Sequence, residues 1–166
     1  MTMKRRARLW AALILALAGA SANSSYTGPS GYAVAAAPND RIEQAELLAV
    51  LPGAEAAARA SFERFVQGAM MHTKTSPDAA VRIRQNGVEQ WLFDISHKDG
   101  GYQGRQAGVS EAITFTEDEV IDWSHTARNG RLYGNFTARA MMEVLPDYRA
   151  ALIATTLSLD PMPKEW

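Results

Sequence analysis

The chain of 166 residues carries 17 basic and 18 acidic side chains, a formal net charge of −1, and has no cysteine. Without cysteine, neither a disulfide nor a thiolate nucleophile is available, so stability must come from buried apolar surface. Nucleic-acid binding needs a basic patch, and the near balance of charge argues against it.

An export signal is predicted at the start of the chain. Four basic residues stand within the first eight positions, an apolar run follows over 9–20, and small residues precede an expected cleavage after Ala22. The run is shorter than the roughly 20 residues that a membrane-spanning helix needs, so we expect no stable membrane anchor after cleavage. Arg5 and Arg6 leave the general secretory and twin-arginine routes both open. The predicted location is the periplasm or the exterior of the cell.

One domain is predicted behind the signal. Loss of residues 1–22 leaves 13 basic against 18 acidic side chains, a net charge of −5. Residues 23–39 are rich in Ser, Gly, Ala and Pro, which predicts a flexible leader, with a candidate edge strand at 32–36. The domain is expected over 40–160, and residues 161–166 form a short tail after it.

Helices are predicted first. Asp40 caps a helix that ends at Leu51, and Pro52 opens a second one, because proline suits the first helical turn. In the second helix Ala58, Phe62, Phe65 and Ala69 recur at helical spacing and form one apolar stripe. Glu55, Arg59 and Glu63 are four apart and are expected to pair on another face.

A β-hairpin is predicted around Asn86-Gly87, the preferred pair for a two-residue turn. The expected register sets Arg84 opposite Glu89, Ile83 opposite Gln90, Arg82 opposite Trp91 and Val81 opposite Leu92. Opposite residues share a face of the sheet. The core side is expected to hold Val81, Ile83, Val88 and Leu92, and the other face Arg82, Arg84, Glu89 and Trp91.

Shorter elements complete the domain. Residues 99–101 predict a turn before a strand over 102–107, and a strand over 112–116 precedes a capped helical turn at 116–119. Asn129-Gly130 predicts a hairpin that pairs Trp123 with Phe136 and ends in a strand over 137–144. Pro146 and Asp147 start a helix that is expected to bury Tyr148, Leu152, Ile153 and Leu157. The prediction is an α+β domain: an antiparallel sheet of about four to six strands, two N-terminal helices and one C-terminal helix.

Asp122-Trp123, followed by a Gly-x-x-Thr-x-Arg pattern at Gly134, Thr137 and Arg139, is the most specific motif in the chain. Together with weaker features over residues 54–145, it resembles the YegJ-like proteins, small bacterial proteins that form a domain of unknown function. The resemblance implies a small α+β fold, often exported, with no assigned activity. Relatives often carry a histidine where this chain has Gln90, so any chemistry of that histidine would be absent here.

No metal or cofactor is expected from the residue pattern. The histidines His72, His97 and His125 are widely spaced, and Asp94 and Asp122 each stand three residues before one of them. Residues three apart on a strand point to opposite faces, so neither pair predicts a ligand cluster. The acidic run at 117–119 is expected to be a solvated turn.

Asp122 and Arg139 form the most informative pair. In the predicted second hairpin Asp122 lies opposite Thr137 and one diagonal step from Arg139. The pair is expected to be a partly buried ion pair that holds the end of the sheet. The functional alternative is that Arg139 holds an anionic ligand against Trp123.

An aromatic sheet face is the second candidate. Trp91, Tyr102, Trp123 and Tyr133 are expected to gather on one face with Arg82 and Arg84, a composition that protein interfaces use. The alternative is that a helix covers this face. The candidate binding residues are Trp91, Tyr102, Asp122, Trp123, Tyr133 and Arg139.

These observations favour a non-enzymatic exported domain that binds a protein or an envelope component. A small hydrolase that uses Asp122 or Glu89 is one alternative, and an inhibitor or immunity-type protein of the cell envelope is another. No nucleic-acid partner is expected. The ligand, the oligomeric state and the pathway do not follow from the sequence.

Overall fold

The computed structural model describes residues 44–70, 79–127 and 129–166. Within these ranges, six strands form one antiparallel sheet accompanied by four α-helices, so the predicted α+β class is confirmed. The predicted signal peptide, the leader, the strand at 32–36 and the helix start at Asp40 lie outside the described residues. No helix in the described ranges is long and apolar enough to cross a membrane.

Two helices open the described chain, α1 over Gln44–Ala60 and α2 over Phe62–Met70. The predicted helix boundary at Pro52 is wrong, because Pro52 lies inside α1. It is exposed, so the carbonyl that lacks its usual N–H partner can be hydrated. The break falls at Ser61, whose hydroxyl donates to the carbonyls of Ala57 and Ala58 at 2.8 and 3.0 Å. Such side-chain competition for carbonyls loosens a helix at that point.

The sheet has the strand order β4-β3-β2-β1-β5-β6. Its strands are β1 Ala79–Gln85, β2 Val88–Lys98, β3 Gly101–Arg105, β4 Ala112–Phe115, β5 Val120–Thr126 and β6 Leu132–Gly134. A 3₁₀ turn, Glu117–Glu119, precedes β5, and the helices α3 Phe136–Met142 and α4 Asp147–Thr156 follow β6. β1 lies between its hairpin partner β2 and β5, so the hairpin is joined to the C-terminal half through β1.

The first hairpin has the predicted register. Arg84 pairs with Glu89, and the pairing continues in step to Val81 and Leu92. Val81, Ile83 and Leu92 are completely buried, but Val88 is 62% exposed, so its predicted place in the core is wrong. Val88 has the core-side parity, yet it stands beside the turn, at the end of the sheet where the described helices do not cover it.

The elements over 99–119 also follow the prediction. Asp99 and Gly100 form the turn, with φ of 33° and 83°. β3 begins at Gly101, one residue before the predicted start, and ends at Arg105, two residues before the predicted end, whereas β4 falls within its predicted range. Thr116 and Glu119 form a capping box around the 3₁₀ turn, in which the Glu119 carboxylate accepts from the Thr116 backbone N–H at 2.9 Å. The acidic residues at 117 and 118 are exposed, as expected for a solvated turn.

The second hairpin differs from the prediction in two ways. Its register is shifted by one residue: Ser124 pairs with Gly134, which leaves Trp123 level with Asn135 rather than Phe136. The predicted strand over 137–144 is wrong, because the chain enters α3 at Phe136. Asn135 adopts a left-handed conformation, with φ 55° and ψ 46°, which turns the chain away from the sheet.

α4 covers the core less than predicted. Tyr148 is 50% and Leu152 is 66% exposed, and no residue of α4 is fully buried, so the predicted burial of these two side chains is wrong. Ile153 is half-buried, and Leu157, just after the helix, is 3% exposed. The apolar contact with the domain is therefore made by the end of the helix and the segment behind it.

The core lies between the first two helices and one face of the sheet. Ala58, Phe62 and Phe65 are at most 1% exposed and Ala69 packs beside them, so the predicted apolar stripe is confirmed. The sheet contributes the buried residues Val81, Ile83, Leu92, Ile95, Phe115, Val120 and Trp123. Aromatic rings dominate this core, and such rings bury the largest apolar area per residue.

Candidate functional site

The six candidate binding residues do not form one surface. Trp91 is the direct partner of Arg82, whereas Trp123 pairs with Val81, so the two tryptophans point to opposite faces of the sheet. The predicted gathering of all four aromatic residues on one face with Arg82 and Arg84 is therefore wrong. Tyr102 and Tyr133 pack against the core, on the side of Trp123.

Trp123 is a core residue. It has no exposed surface, and its ring stacks on Phe65 with 4.6 Å between centroids. Its indole Nε1 donates to the Ala58 carbonyl at 3.2 Å and to the Ser61 hydroxyl at 3.0 Å, so the polar atom is satisfied within the domain. Trp123 thus ties the sheet to the junction of α1 and α2, and it leaves no face on which a ligand could stack.

Tyr102 is half-buried at the margin of the same core. Its ring meets Phe62 edge-on at 5.0 Å and stacks on Phe115 at 5.6 Å. Burial, with the nearby charges of Glu117 and Glu63, raises the pKa of its hydroxyl. The ring is therefore a packing residue at the margin of the core.

Asp122 is buried and anchors α3. Its carboxylate accepts hydrogen bonds from the backbone N–H groups of Trp123 at 2.9 Å, Phe136 at 2.9 Å and Thr137 at 3.1 Å, and from the Thr137 hydroxyl. Burial raises the pKa of this carboxyl group, while the bonds from Thr137, Phe136 and Trp123 act in the opposite direction. Asp122 satisfies N–H groups that the start of a helix leaves without partners.

Arg139 does not form the predicted ion pair with Asp122. Its guanidinium donates to the Gly134 carbonyl at 2.7 Å, to the Leu132 carbonyl at 3.4 Å and to the Ser158 carbonyl at 3.1 Å. Burial lowers its pKa, and the charges of Asp122 and Asp160 act against that effect. The physical reason for the error is the helix: α3 directs Arg139 toward β6 and the segment after α4.

Gly134 completes this arrangement. Its φ is +69°, and a Cβ at this position would lie 2.2 Å from the Trp123 carbonyl oxygen and 2.5 Å from the Trp123 ring. Glycine alone accepts both the left-handed backbone and this close approach. The motif that carries the family resemblance, at positions 122, 123, 134, 137 and 139, is therefore one structural unit that locks β5, β6, α3 and the segment after α4 together.

Charged residues near the turn of the first hairpin form a network. Arg84 binds both oxygens of Glu55, at 2.6 and 3.0 Å, and one oxygen of Glu89 at 2.7 Å. Arg82 forms a further, short contact with Glu89. Glu55 therefore joins α1 to β1, and its predicted pairing with Arg59 along the helix is wrong.

Electrostatics in this network favour the charged forms. Burial acts to raise the pKa of Glu89, but the hydrogen bond from Arg84 and the charges of Arg82 and Arg84 outweigh it and lower that pKa. The hydrogen bonds that Arg84 donates to Glu55 and Glu89 raise the pKa of its guanidinium. The side chains of Arg82, Arg84 and Glu89 remain 30%, 41% and 34% exposed, so solvent screens much of the attraction between them.

Trp91 lies beside this network. It follows Glu89 by two residues on β2, so the two side chains share a face, and Phe93 continues the row. Both aromatic side chains are half-buried. We call the group Trp91, Phe93, Arg82, Arg84 and Glu89 the Trp91 surface. It combines apolar rings with guanidinium groups that two carboxylates hold in place.

The two histidines that the structure describes do not assemble with other metal-ligand side chains. His97 packs edge-on against Tyr102 at 5.2 Å, His125 lies 5.0 Å from the Trp166 ring, and His72 is outside the described residues. Across residues 44–70, 79–127 and 129–166, no group of three or more His, Asp or Glu side chains is arranged to hold a metal ion.

Trp166 and Gly68 are residues that sequence reasoning missed. The Trp166 ring packs against Phe65, His125 and Tyr133, and a Cβ on Gly68 would come within 2.3 Å of it. A tryptophan in a short tail behind two prolines gave no periodic signal of burial. The contact depends on residues almost 100 positions apart, which no local pattern reveals.

No family model, curated protein or solved structure matches the chain.

Proposed function

We propose that the chain is an exported, non-enzymatic binding domain that recognises a protein partner through the Trp91 surface. The observation that carries this proposal is the position of the half-buried Trp91 beside Arg82, whose guanidinium is already held by Glu89. Tryptophan and arginine are the residue types that contribute most to protein interfaces, and side chains that are fixed before binding lose less entropy when the partner arrives. Export and the relationship to YegJ-like proteins are part of the same proposal.

The contacts of the two candidate acids favour binding over hydrolysis. A general acid or base needs a carboxyl group within reach of the substrate. Asp122 is 1% exposed and is engaged by donors from the backbone and from Thr137. Glu89 is at the surface, but Arg82 and Arg84 lower its pKa, which makes it a poor proton donor near neutral pH. Both carboxylates are committed to structural contacts.

A capture experiment that compares the unaltered chain with two variants tests the proposal. The unaltered chain, Trp91→Ala and Leu152→Ala would each be immobilised and exposed to an envelope extract of the producing organism, and any captured protein would be purified and titrated. Leu152 is 66% exposed on α4, so its substitution is the control for general loss of apolar surface. If Trp91 is an interface anchor, its removal should weaken binding by about 2 kcal/mol, roughly 30-fold, and the control should bind normally.

The melting temperatures of both variants are measured in parallel, so that unfolding is not mistaken for loss of binding. Equal affinity of Trp91→Ala and the unaltered chain for the purified partner would reject the Trp91 surface as the site. If the captured protein is an enzyme that the chain inhibits, the inhibitor or immunity-type form of the proposal is the correct one. Turnover of a captured substrate by the chain would reject a non-enzymatic role.

A further inference from the structure

Two asparagine–glycine pairs lie in exposed turns of the domain. Asn86 and Gly87 join β1 to β2, and Asn129 and Gly130 lie between β5 and β6. Both glycines have open space around them, since a Cβ added to either would meet no atom within 4 Å. Asparagine is one of the chemically labile residues of proteins, and a glycine after it leaves the approach to its side chain unobstructed.

The reaction open to such a pair is an attack by the glycine backbone nitrogen on the side-chain carbonyl carbon of the asparagine. A nitrogen–carbon bond forms and closes a succinimide ring, while the bond from that carbon to the amide nitrogen breaks. The amide nitrogen leaves as ammonia and takes the proton that the glycine nitrogen loses. Water then opens the ring at either of its carbonyl carbons, which gives aspartate or isoaspartate.

Hydrogen bonds restrain the second pair. The Gly130 N–H, whose nitrogen would have to attack, donates to the Ala127 carbonyl at 2.9 Å. The side-chain oxygen of Asn129 accepts from the Arg131 N–H at 3.0 Å, which holds the side chain in one orientation. Ring closure at this turn has to move the Gly130 N–H away from its acceptor. The loss of that bond adds to the barrier of the reaction.

The first pair has no comparable restraint within the described part of the chain. The strands pair through Gln85 and Val88, on either side of the turn, and Asn86 and Gly87 are both exposed between them. Their φ values of 51° and 78° are those of a tight two-residue turn. Solvent therefore reaches the Gly87 nitrogen and can remove its proton, and the open space around Gly87 leaves room for the rotation that closes the ring.

We propose that Asn86 is a site of spontaneous covalent modification, at which the side chain is converted to aspartate and isoaspartate, and that the fold protects Asn129 from the same reaction. In isoaspartate the chain runs through the side chain, which adds a carbon to the backbone of the turn. The turn fixes the register of a hairpin, so the longer linkage no longer suits the pairing of Arg84 with Glu89. The inference goes beyond the proposed function and does not depend on the Trp91 surface.

Peptide mapping of the full chain during storage at mildly alkaline pH, which favours loss of the glycine proton, tests the inference. Cleavage after glutamate leaves Asn86 as the single asparagine of the peptide 64–89 and puts Asn129 in the peptide 120–143, together with Asn135. Fragment masses identify the converted residue in the second peptide. We expect Asn86 to convert at least about 10-fold faster than Asn129, because of the hydrogen bonds that are lost at the second turn.

The same mapping in guanidinium chloride removes those hydrogen bonds, and the two asparagines should then convert at similar rates. Equal rates in the folded chain, or faster conversion of Asn129, would overturn the inference. A difference that persists in the denaturant would also overturn it, because neighbouring residues rather than the fold would then determine the rates.

Two variants test the effect on the hairpin. Asn86→Gly has no amide to lose and leaves a glycine pair that suits the same turn, so its melting temperature should stay constant during storage. Asn86→Asp, measured before storage, carries the aspartate product alone. The stored unaltered chain should melt below both variants, by an amount that grows with its isoaspartate content. A converted chain that melts like the fresh one would reject the proposed effect on the hairpin.

Discussion

Replacement of Asp122 by asparagine should destabilise the domain, although the two side chains have nearly the same shape. The asparagine oxygen can still accept from the N–H groups of Trp123 and Phe136, which now share one carboxylate oxygen. Its amide NH₂, however, would face the N–H and the hydroxyl of Thr137, which now donate to the other oxygen. The hydroxyl can rotate and accept a bond from the new NH₂ group, but the Thr137 N–H loses its acceptor.

The size of the effect follows from that one N–H group. A buried donor without an acceptor costs about 1–3 kcal/mol, so we expect Asp122→Asn to lower the free energy of unfolding by that amount. For a domain of this size, 1 kcal/mol corresponds to roughly 4 °C in melting temperature. Asp122→Ala removes the acceptor from all four donors and should destabilise the domain further, by at least about 3 kcal/mol.

Urea denaturation followed by tryptophan fluorescence measures this difference. Asp118→Asn is the matched control, because Asp118 is exposed in the 3₁₀ turn and the same change there should stay within about 0.5 kcal/mol. A midpoint for Asp122→Asn that equals that of the unaltered protein would refute the assignment of the Thr137 N–H as a buried donor that depends on Asp122.

Three further changes probe other contacts. Gly134→Ala should lower the free energy of unfolding by at least about 3 kcal/mol, because its Cβ would collide with Trp123. Gly130 has φ +82° and no atom within 4 Å of an added Cβ, so Gly130→Ala should lower it by only about 1–2 kcal/mol in calorimetry. Arg139→Ala should lower the free energy of unfolding, measured by urea denaturation, by about 2–3 kcal/mol. An unchanged denaturation midpoint would contradict the hydrogen bonds of Arg139 to three carbonyls. Glu89 has a lowered pKa in the folded state, so its contribution is present above its unfolded pKa of about 4.5 and is lost as the pH falls through the folded value. The melting temperature should therefore fall less steeply between pH 7 and pH 3 for Glu89→Gln than for the unaltered chain. The same pH dependence in both proteins would count against the ion pairs.

The parts of the fold that local chemistry determines were predictable. The Asn86-Gly87 turn accepts positive φ at both positions, and the alternation of Val81 and Ile83 with arginines fixes which residues face the core. The register followed from these two features alone, and so did the helical stripe that contains Phe62 and Phe65. The capping box at Thr116 and Glu119 is equally local, because both partners lie within one turn.

Where a distant partner decides the outcome, the prediction was wrong. The stretch 137–144 was assigned to a strand because a hairpin turn precedes it, but the N–H groups of Phe136 and Thr137 bind Asp122, which starts a helix instead. Pro52 was expected to begin a helix, yet its exposed position lets α1 continue through it. Val88 had the correct parity for the core, but parity does not show how far the helices extend over the sheet.

The sequence identified several residues of the candidate site, but it did not predict which residues they contact. Asp122, Trp123 and Arg139 were singled out together, but the predicted ion pair between Asp122 and Arg139 does not form, and Arg139 binds backbone carbonyls instead. The ion pair between Glu55 and Arg84 could not be predicted, because ion pairs between separate elements have no characteristic separation in the sequence. Trp166 was missed for the same reason.

The contacts of the motif at positions 122, 123, 134, 137 and 139 bear on where function can reside. A side chain that is buried and whose polar atoms are satisfied within the domain cannot also contact a ligand unless the fold opens. Asp122, Trp123 and Gly134 are engaged within the domain in this way, and so are most of the N–H donors of Arg139. The residues of this motif therefore build the frame of the domain, and a ligand would have to contact a residue elsewhere. In the proposed binding function that residue is Trp91, which lies on the face of the sheet opposite Trp123.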